Sequence, residues 1–374
     1  MSKDCWLLVS GLLIGAIFPS AGTEAQISTP QQVAEQIQRD AKIPQMQIGD
    51  EFLRLTVPGE TMGETVGVSQ NSKGHIFVYS RTHPTGIARG AAAARLWEFD
   101  SSGTFVKEWG PHNYAESFAH NVRVDPNDNV WMVDEGSGMI VKFDPQGVPV
   151  EELGRTPEAI DYLEENVEKA GRGYERAGMA IINNRPVDPI RNIHPNGSTG
   201  VFNRPTDVAW DSKGNIYVSD GYGNSRIVKI APGGHWLKTV GTWGTGENQF
   251  NIVHSLSVDK DDNIYAADRN NHRIQVYDTD LNFKRSIIGE GAPWGICITP
   301  AGRGPQYLFS ADGTTGRIYK IDLASGNLVA WAQTSLGHGE DDAGRLVHEI
   351  SCVSANVLYL GSAILWDVQR VTIK

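Results

Sequence analysis

The apolar positions of this chain fall in short runs, alternating or wholly apolar, separated by polar turns rich in Gly, Asn and Asp. One unit recurs: an apolar strand, a polar turn closing on Gly-Asn or Asp-Asn, a second strand ending in Asp, and a third strand mixing basic and apolar residues. The clearest copies are PTDVAWDSKGNIYVSDGYGNSRIVKI (Pro205 to Ile230) and VHSLSVDKDDNIYAADRNNHRIQVYD (Val253 to Asp278), 48 positions apart. Weaker copies begin at Val66, His120, Trp294 and His348, which makes six. Runs of this length bounded by turn residues predict strands rather than helices.

Repeats of roughly 40 to 50 residues holding several strands point to a β-propeller, because one sheet cannot bury both faces until neighbours stack on it. These repeats resemble the NHL class, and six copies imply an all-β, six-bladed propeller over residues 51–374. The last copy ends at Lys374 with room for three strands. The alternating segment FLRLTV (Phe52 to Val57) is expected to supply the fourth and so remove an open edge. Two stretches break the period. Residues 26–50 form an N-terminal arm in which Thr29 caps a short helix opening with Pro30. Residues 155–201 form a helical insertion between the second and third blades, either a surface decoration or a lid. Its helix starts at Thr156 and Pro157 and stops at Gly171.

Composition adds to this picture without changing it: 41 Gly, 10 Trp and 11 Tyr suit a turn-rich all-β chain. A formal net charge of -11 with no basic block argues against a nucleic-acid partner. The start differs from the rest. Lys3, the apolar run from Cys5 to Phe18 and the small residues that follow read as a secretory signal peptide over residues 1–25, cleaved between Ala21 and Gln26. That run falls short of the roughly 20 residues a spanning helix needs. The mature protein is therefore expected to be periplasmic or secreted, free of the membrane, and monomeric. Cys5 leaves with the signal. Cys297 and Cys352 occupy different register positions on the innermost strands of neighbouring blades, so they are expected to point to opposite faces as two separate buried thiols.

The first turn of each repeat is an internal ruler. Five positions before the turn aspartate stand His120 (Asp125), Thr206 (Asp211) and His254 (Asp259), and the same offset reaches Val66, Trp294 and His348 in the other copies. Histidine thus occupies one register position in the second, fourth and sixth blades, where innermost strands converge on the axis. Three imidazoles related by about a third of a turn can share one metal ion and leave its fourth position open, the arrangement of a catalytic zinc. A second shared position, just past the end of the second strand, holds Arg81, Tyr222 and Arg269. If these lie at the same end of the channel they ring the metal, and the arginines would hold a small anionic substrate by bidentate hydrogen bonds. Asp134, Asp220 and Asp268 repeat in register and read as structural caps.

The run FNRPTDVAWDSKGNIYVSDGYGNSRIVKI, together with VHSLSVD and AADRNNHRIQVYD, closely resembles the lyase domain of peptidylglycine α-amidating enzymes and its bacterial relatives. The resemblance covers Val66 to Ser362 and is strongest from Phe202 to Asp278. It implies a zinc ion (Zn2+) on His120, His254 and His348, with Tyr222 as base and Arg81 and Arg269 as substrate holders. The implied reaction cleaves an α-hydroxyglycine carbinolamide to an amide and glyoxylate, zinc polarising the hydroxyl while Tyr222 takes its proton. It also implies a structural calcium (Ca2+) at Glu349, directly after the third histidine, and at Val122. Gly223 stands where animal relatives carry a disulfide cysteine, and Leu346 where they carry methionine. Two other functions suit a propeller of this kind. A hydrolase of the lactonase sort would use the metal to activate water and usually adds carboxylate and Asn ligands. A non-enzymatic NHL binding module needs no metal.

Overall fold

Each clear repeat is fastened by its first turn. The Asp125 carboxylate accepts from the backbone N–H groups of Asn127 and Asn129, from the Asn129 amide, and from the indole N–H of Trp131. Asp211 with Asn215 and Tyr217, and Asp259 with Asn263 and Tyr265, repeat the pattern. The Asp-x-x-x-Asn-x-aromatic spacing therefore ties a hairpin turn to the second strand. Once turns are set this way, successive strands pair antiparallel.

The computed structural model describes residues 28–82, 94–154, 200–302, 305–336 and 346–374. Within them lie six four-stranded antiparallel sheets. Blade 1 runs Glu64–Gln70, Ile76–Arg81, Ala94–Phe99 and Phe105–Trp109; blade 2 runs Ala119–Val124, Val130–Asp134, Met139–Phe143 and Pro149–Leu153. Blade 3 comprises Asp207–Trp210, Ile216–Asp220, Arg226–Ile230 and Trp236–Val240; blade 4 comprises Val253–Val258, Ile264–Asp268, Arg273–Tyr277 and Phe283–Ile288. Blade 5 has Pro293–Ile298, Tyr307–Asp312, Arg317–Asp322 and Leu328–Gln333, and blade 6 has Val347–Cys352, Val357–Ser362 and Gln369–Ile373. The innermost strands touch their neighbours all the way round, sixth to first included, so the ring is closed. Apolar clusters fill the seams between blades, as between Phe77 and Val122 or Ile296 and Ala267.

The strand that closes the ring is Ile48–Phe52, paired antiparallel with Gln369–Ile373, and not the expected Phe52 to Val57. Leu55 and Val57 do alternate inward, but they bury against Val68, Trp97, Phe99 and Tyr359 as the chain crosses the seam from blade 6 to blade 1. Alternation reports a buried face, and an unpaired crossing segment can supply one. The arm before it is docked. Thr29 and Gln32 form a reciprocal cap on the helix Pro30–Asp40. Asp40 accepts from Arg317 and from the Tyr319 hydroxyl, while its carbonyl accepts from the Trp331 indole on blade 5.

Cys297 and Cys352 are joined in a disulfide with Cα atoms 5.5 Å apart, which corrects the expectation of two separate thiols. Their side chains do leave opposite faces of equivalent sheets. In a ring of stacked blades, however, it is the opposite faces of neighbours that meet across each seam. The helix and loop expected at residues 155–201 lie outside the described residues save for Gly200 and Val201, as does the signal segment. Among the described residues no helix is long and apolar enough to cross a membrane.

Candidate metal centre

In five blades the upper end of the innermost strand carries one extra residue: between Glu64 and Gly67, Ala119 and Asn121, Val253 and Ser255, Pro293 and Gly295, and Val347 and Glu349. A bulge re-aims the side chains it contains. The extra residue is His120, His254 or His348 in the three histidine blades, and all three imidazoles converge on the axis. Gly67 and Gly295 are required just below. A Cβ on either would lie 2.7 Å from the backbone nitrogen of Val122 or of Ile350 on the next blade.

The imidazole centroids are 4.7, 4.7 and 5.0 Å apart, and one ligand nitrogen from each ring lies within 4.8 Å of the others. Each Nδ1 faces the carbonyl that occupies the same register position in the next blade: Thr206 at 2.6 Å from His120, Trp294 at 2.6 Å from His254 and Val66 at 2.8 Å from His348. A carbonyl can only accept, so Nδ1 carries the proton and Nε2 is left with a lone pair. Burial holds all three rings well below the ordinary histidine pKa, and the Arg269 charge pushes each the same way, joined by Arg81 at His120 and His348. The result is three neutral imidazoles with oriented donor atoms, each braced by a backbone carbonyl of the next blade. This donor set fits a metal ion.

Tyr222 lies in a one-turn helix, Gly221–Asn224, that only glycine neighbours permit. A Cβ on Gly221 would lie 1.9 Å from the Val253 carbonyl, and one on Gly223 would lie 2.2 Å from the Asn203 side chain. The Tyr222 hydroxyl consequently reaches the centre, 3.4 Å from His120 Nε2 and 3.2 Å from His254 Nε2. Arg269 donates to it from Nη1 at 3.2 Å and stacks on Trp294, its guanidinium carbon 4.4 Å from the ring. Arg81 approaches from blade 1. Its Nε donates to the Ala119 carbonyl at 2.9 Å, Nη1 meets Glu64 at 3.3 Å, and the guanidinium lies 3.7 Å over Phe118. All of the expected chemical residues therefore share one end of the channel.

Sequence reasoning missed part of this end. Arg204 covers the Tyr222 ring at 4.6 Å and is ion-paired to buried Glu135. Trp294 floors Arg269 and sits 5.2 Å from the His254 ring. Trp294 was legible as a member of the histidine register; Arg204 belongs to an inter-blade loop with no repeat signal. Asp134, Asp220 and Asp268 are structural, each tying the loop that enters its blade to the end of the second strand.

The residues expected to hold calcium do not fit that ion. Glu349 is buried with an oxygen 2.8 Å from Arg123 Nη2, and the same guanidinium holds Asp207. Val122 packs in the seam with Val66 and Met132 while its N–H donates to the Asn121 side chain. Calcium needs an all-oxygen shell, and here a guanidinium occupies the space between the carboxylates.

A family model for the NHL repeat matches residues 202–230 and 250–277. A Caenorhabditis elegans protein described as a probable peptidyl-alpha-hydroxyglycine alpha-amidating lyase is 26% identical over 322 residues, covering 76% of this chain and 77% of its own. The rat peptidylglycine alpha-amidating monooxygenase is 29% identical over 268 residues, 68% of this chain but 23% of that protein. The mouse NHL repeat-containing protein 3 is 28% identical over 243 residues, 62% and 58% of the two chains. The chain is a six-bladed propeller with two matched NHL repeats that resembles amidating lyases. Among solved structures, this six-bladed propeller superposes on a gluconolactonase of Xanthomonas campestris with a TM-score of 0.54 at 12% identity, covering 89% and 95% of the two chains. Virginiamycin B lyase of Staphylococcus aureus gives 0.52 at 11% identity, covering 88% and 100%. At such identities these two establish the fold alone.

Proposed function

We propose that this protein is a zinc-dependent carbon-nitrogen lyase that cleaves a small anionic α-hydroxyglycine-type carbinolamide into an amide and glyoxylate. The observation that carries the reading is the Tyr222 hydroxyl, held between two imidazole Nε2 atoms and the Arg269 guanidinium. A zinc ion on the three histidines would supply Lewis acidity at the substrate's carbinol. Tyr222 would take the carbinol proton. As the C–O bond becomes the aldehyde of glyoxylate, the C–N electron pair leaves on nitrogen, which gains a proton and departs as the amide. Arg269 and Arg81, both buried and converging on the imidazoles, would hold the carboxylate, and Arg204 with Trp294 would keep Tyr222 and Arg269 in place. Water need not be consumed, which distinguishes the reaction from hydrolysis.

The lactonase reading is less well supported, because among the described residues no carboxylate joins the three-histidine cluster. A pure binding module would leave three neutral, oriented imidazoles unexplained. Export as a monomer after cleavage of residues 1–25 belongs to the same proposal, and the disulfide suits an oxidising compartment. The test is metal analysis of purified protein, followed by glyoxylate release from an N-acyl-α-hydroxyglycine with and without one equivalent of zinc. Zinc-dependent glyoxylate release is expected. Failure to cleave the carbinolamide at full zinc occupancy, or equal cleavage without metal, refutes the proposal.

A further inference from the structure

One residue layer below the histidines, the inward positions are Gly67, Asn121, Asp207, Ser255, Gly295 and Glu349. Two of these six are carboxylates, both fully buried. Arg123, from the layer beneath, reaches up between them. Its Nε and Nη2 grip the two oxygens of Asp207 on blade 3, at 2.9 and 2.5 Å. Nη2 also donates to the Ser255 hydroxyl on blade 4 at 3.0 Å and to the Ile296 carbonyl on blade 5 at 3.5 Å. On blade 6, Nη1 meets the Ile350 carbonyl at 3.4 Å and Nη2 lies 2.8 Å from Glu349. A side chain rooted in blade 2 thus contacts four other blades. Asp207 is further held by Asn121 at 2.8 Å and by the Leu256 N–H at 2.8 Å.

We infer that Arg123 is the built-in structural cation of the propeller axis, filling with a guanidinium the oxygen-lined position where a divalent ion would otherwise bind, so that closure of the ring is independent of calcium. This inference does not depend on the lyase reading. Two carboxylates, a hydroxyl and two carbonyls gathered around one guanidinium are oxygens of the kind calcium takes. The planar fork of arginine can serve several of them at once where a point-charge ammonium cannot. The far end of the channel opens as a cavity of about 520 Å3 whose lining includes Arg123, Trp210, Cys297 and Cys352.

The test is thermal melting of the full chain in calcium-stripped buffer holding one equivalent of zinc, before and after millimolar calcium chloride. The wild type should carry no stoichiometric calcium and should melt within about 1 °C in both conditions, since a ligand that does not bind cannot stabilise. Arg123→Ala should melt lower by on the order of 10 °C, as expected when a buried charge loses its partner, and calcium should recover part of that loss. If Arg123→Ala yields no folded protein, Arg123→Lys keeps the charge without the fork. It should fold, melt below wild type and stay insensitive to calcium. A calcium-dependent rise in the wild-type melting temperature, an Arg123→Ala protein that melts with the wild type or ignores calcium, or an Arg123→Lys protein as stable as the wild type would each overturn the inference.

Discussion

Replacing Tyr222 with phenylalanine removes one oxygen and leaves the ring in place beneath Arg204, whose guanidinium lies 4.6 Å from it. Three neighbours of the hydroxyl among the described residues lie at 3.2 to 3.4 Å, two of them imidazole nitrogens that a metal would engage instead. Arg269 keeps its stacking on Trp294 and its contact with Asn270 at 3.2 Å. The folding cost should therefore stay near the ordinary value for one lost hydrogen bond, about 1 kcal/mol, a few degrees of melting temperature at most for a domain of this size. The chemical cost should be larger. A general base contributes typically ~100-fold to ~10,000-fold, equivalent to about 2.7 to 5.4 kcal/mol of activation free energy. We expect Tyr222→Phe to bind one equivalent of zinc, to melt close to the wild type, and to release glyoxylate from an N-acyl-α-hydroxyglycine at least about 100-fold more slowly. Metal analysis, calorimetry and steady-state kinetics on the same preparation separate the three effects. Near-wild-type turnover at full metal occupancy would refute the role of Tyr222 and leave the histidine centre untouched.

Three further outcomes test the scaffold. The Glu290 carboxyl is fully buried, and burial pushes it well above the usual carboxylate range against the opposing pull of its own N–H and of Arg39. The folded state then holds a proton that the unfolded chain loses above about pH 4.5. Stability should fall as pH rises through that window, by up to about 1.4 kcal/mol per pH unit. Urea melts of Glu290→Gln against the wild type should show a difference that grows with pH, and a pH-independent difference would refute the buried neutral acid. Replacing both Cys297 and Cys352 with alanine opens a link spanning 55 residues. Chain entropy puts the loss at about 4 kcal/mol or less, and a reductant without effect on the wild-type urea midpoint would contradict it. Deleting residues 48–52 should leave Gln369–Ile373 as a bare edge and give an aggregating or much less stable protein by size exclusion and melting. A monomeric deletion variant as stable as the wild type would show that ring closure does not rest on this strand.

The local code determined a great deal here. The six copies of the strand-turn-strand unit determined the blade count, and in three of them an Asp-x-x-x-Asn turn is satisfied within a few residues of itself. The same ruler placed His120, His254 and His348 in one register, and a ring turns shared register into shared position. Thr29 announced its helix for the same reason, a cap made from residues three apart. Tertiary structure decided what depends on neighbours distant in the chain. The closing strand had to be the segment that reaches Gln369–Ile373, which lies more than 300 positions away, and alternation alone could not distinguish it from the seam-crossing FLRLTV. The disulfide depended on which faces of adjacent blades oppose each other. At Glu349 the residue after the third histidine suggested an ion, yet its partner is Arg123, 226 positions earlier. Local sequence specifies what a residue offers, whereas a buried charge is neutralised by whatever the closed ring brings beside it, and on this axis the ring brought an arginine.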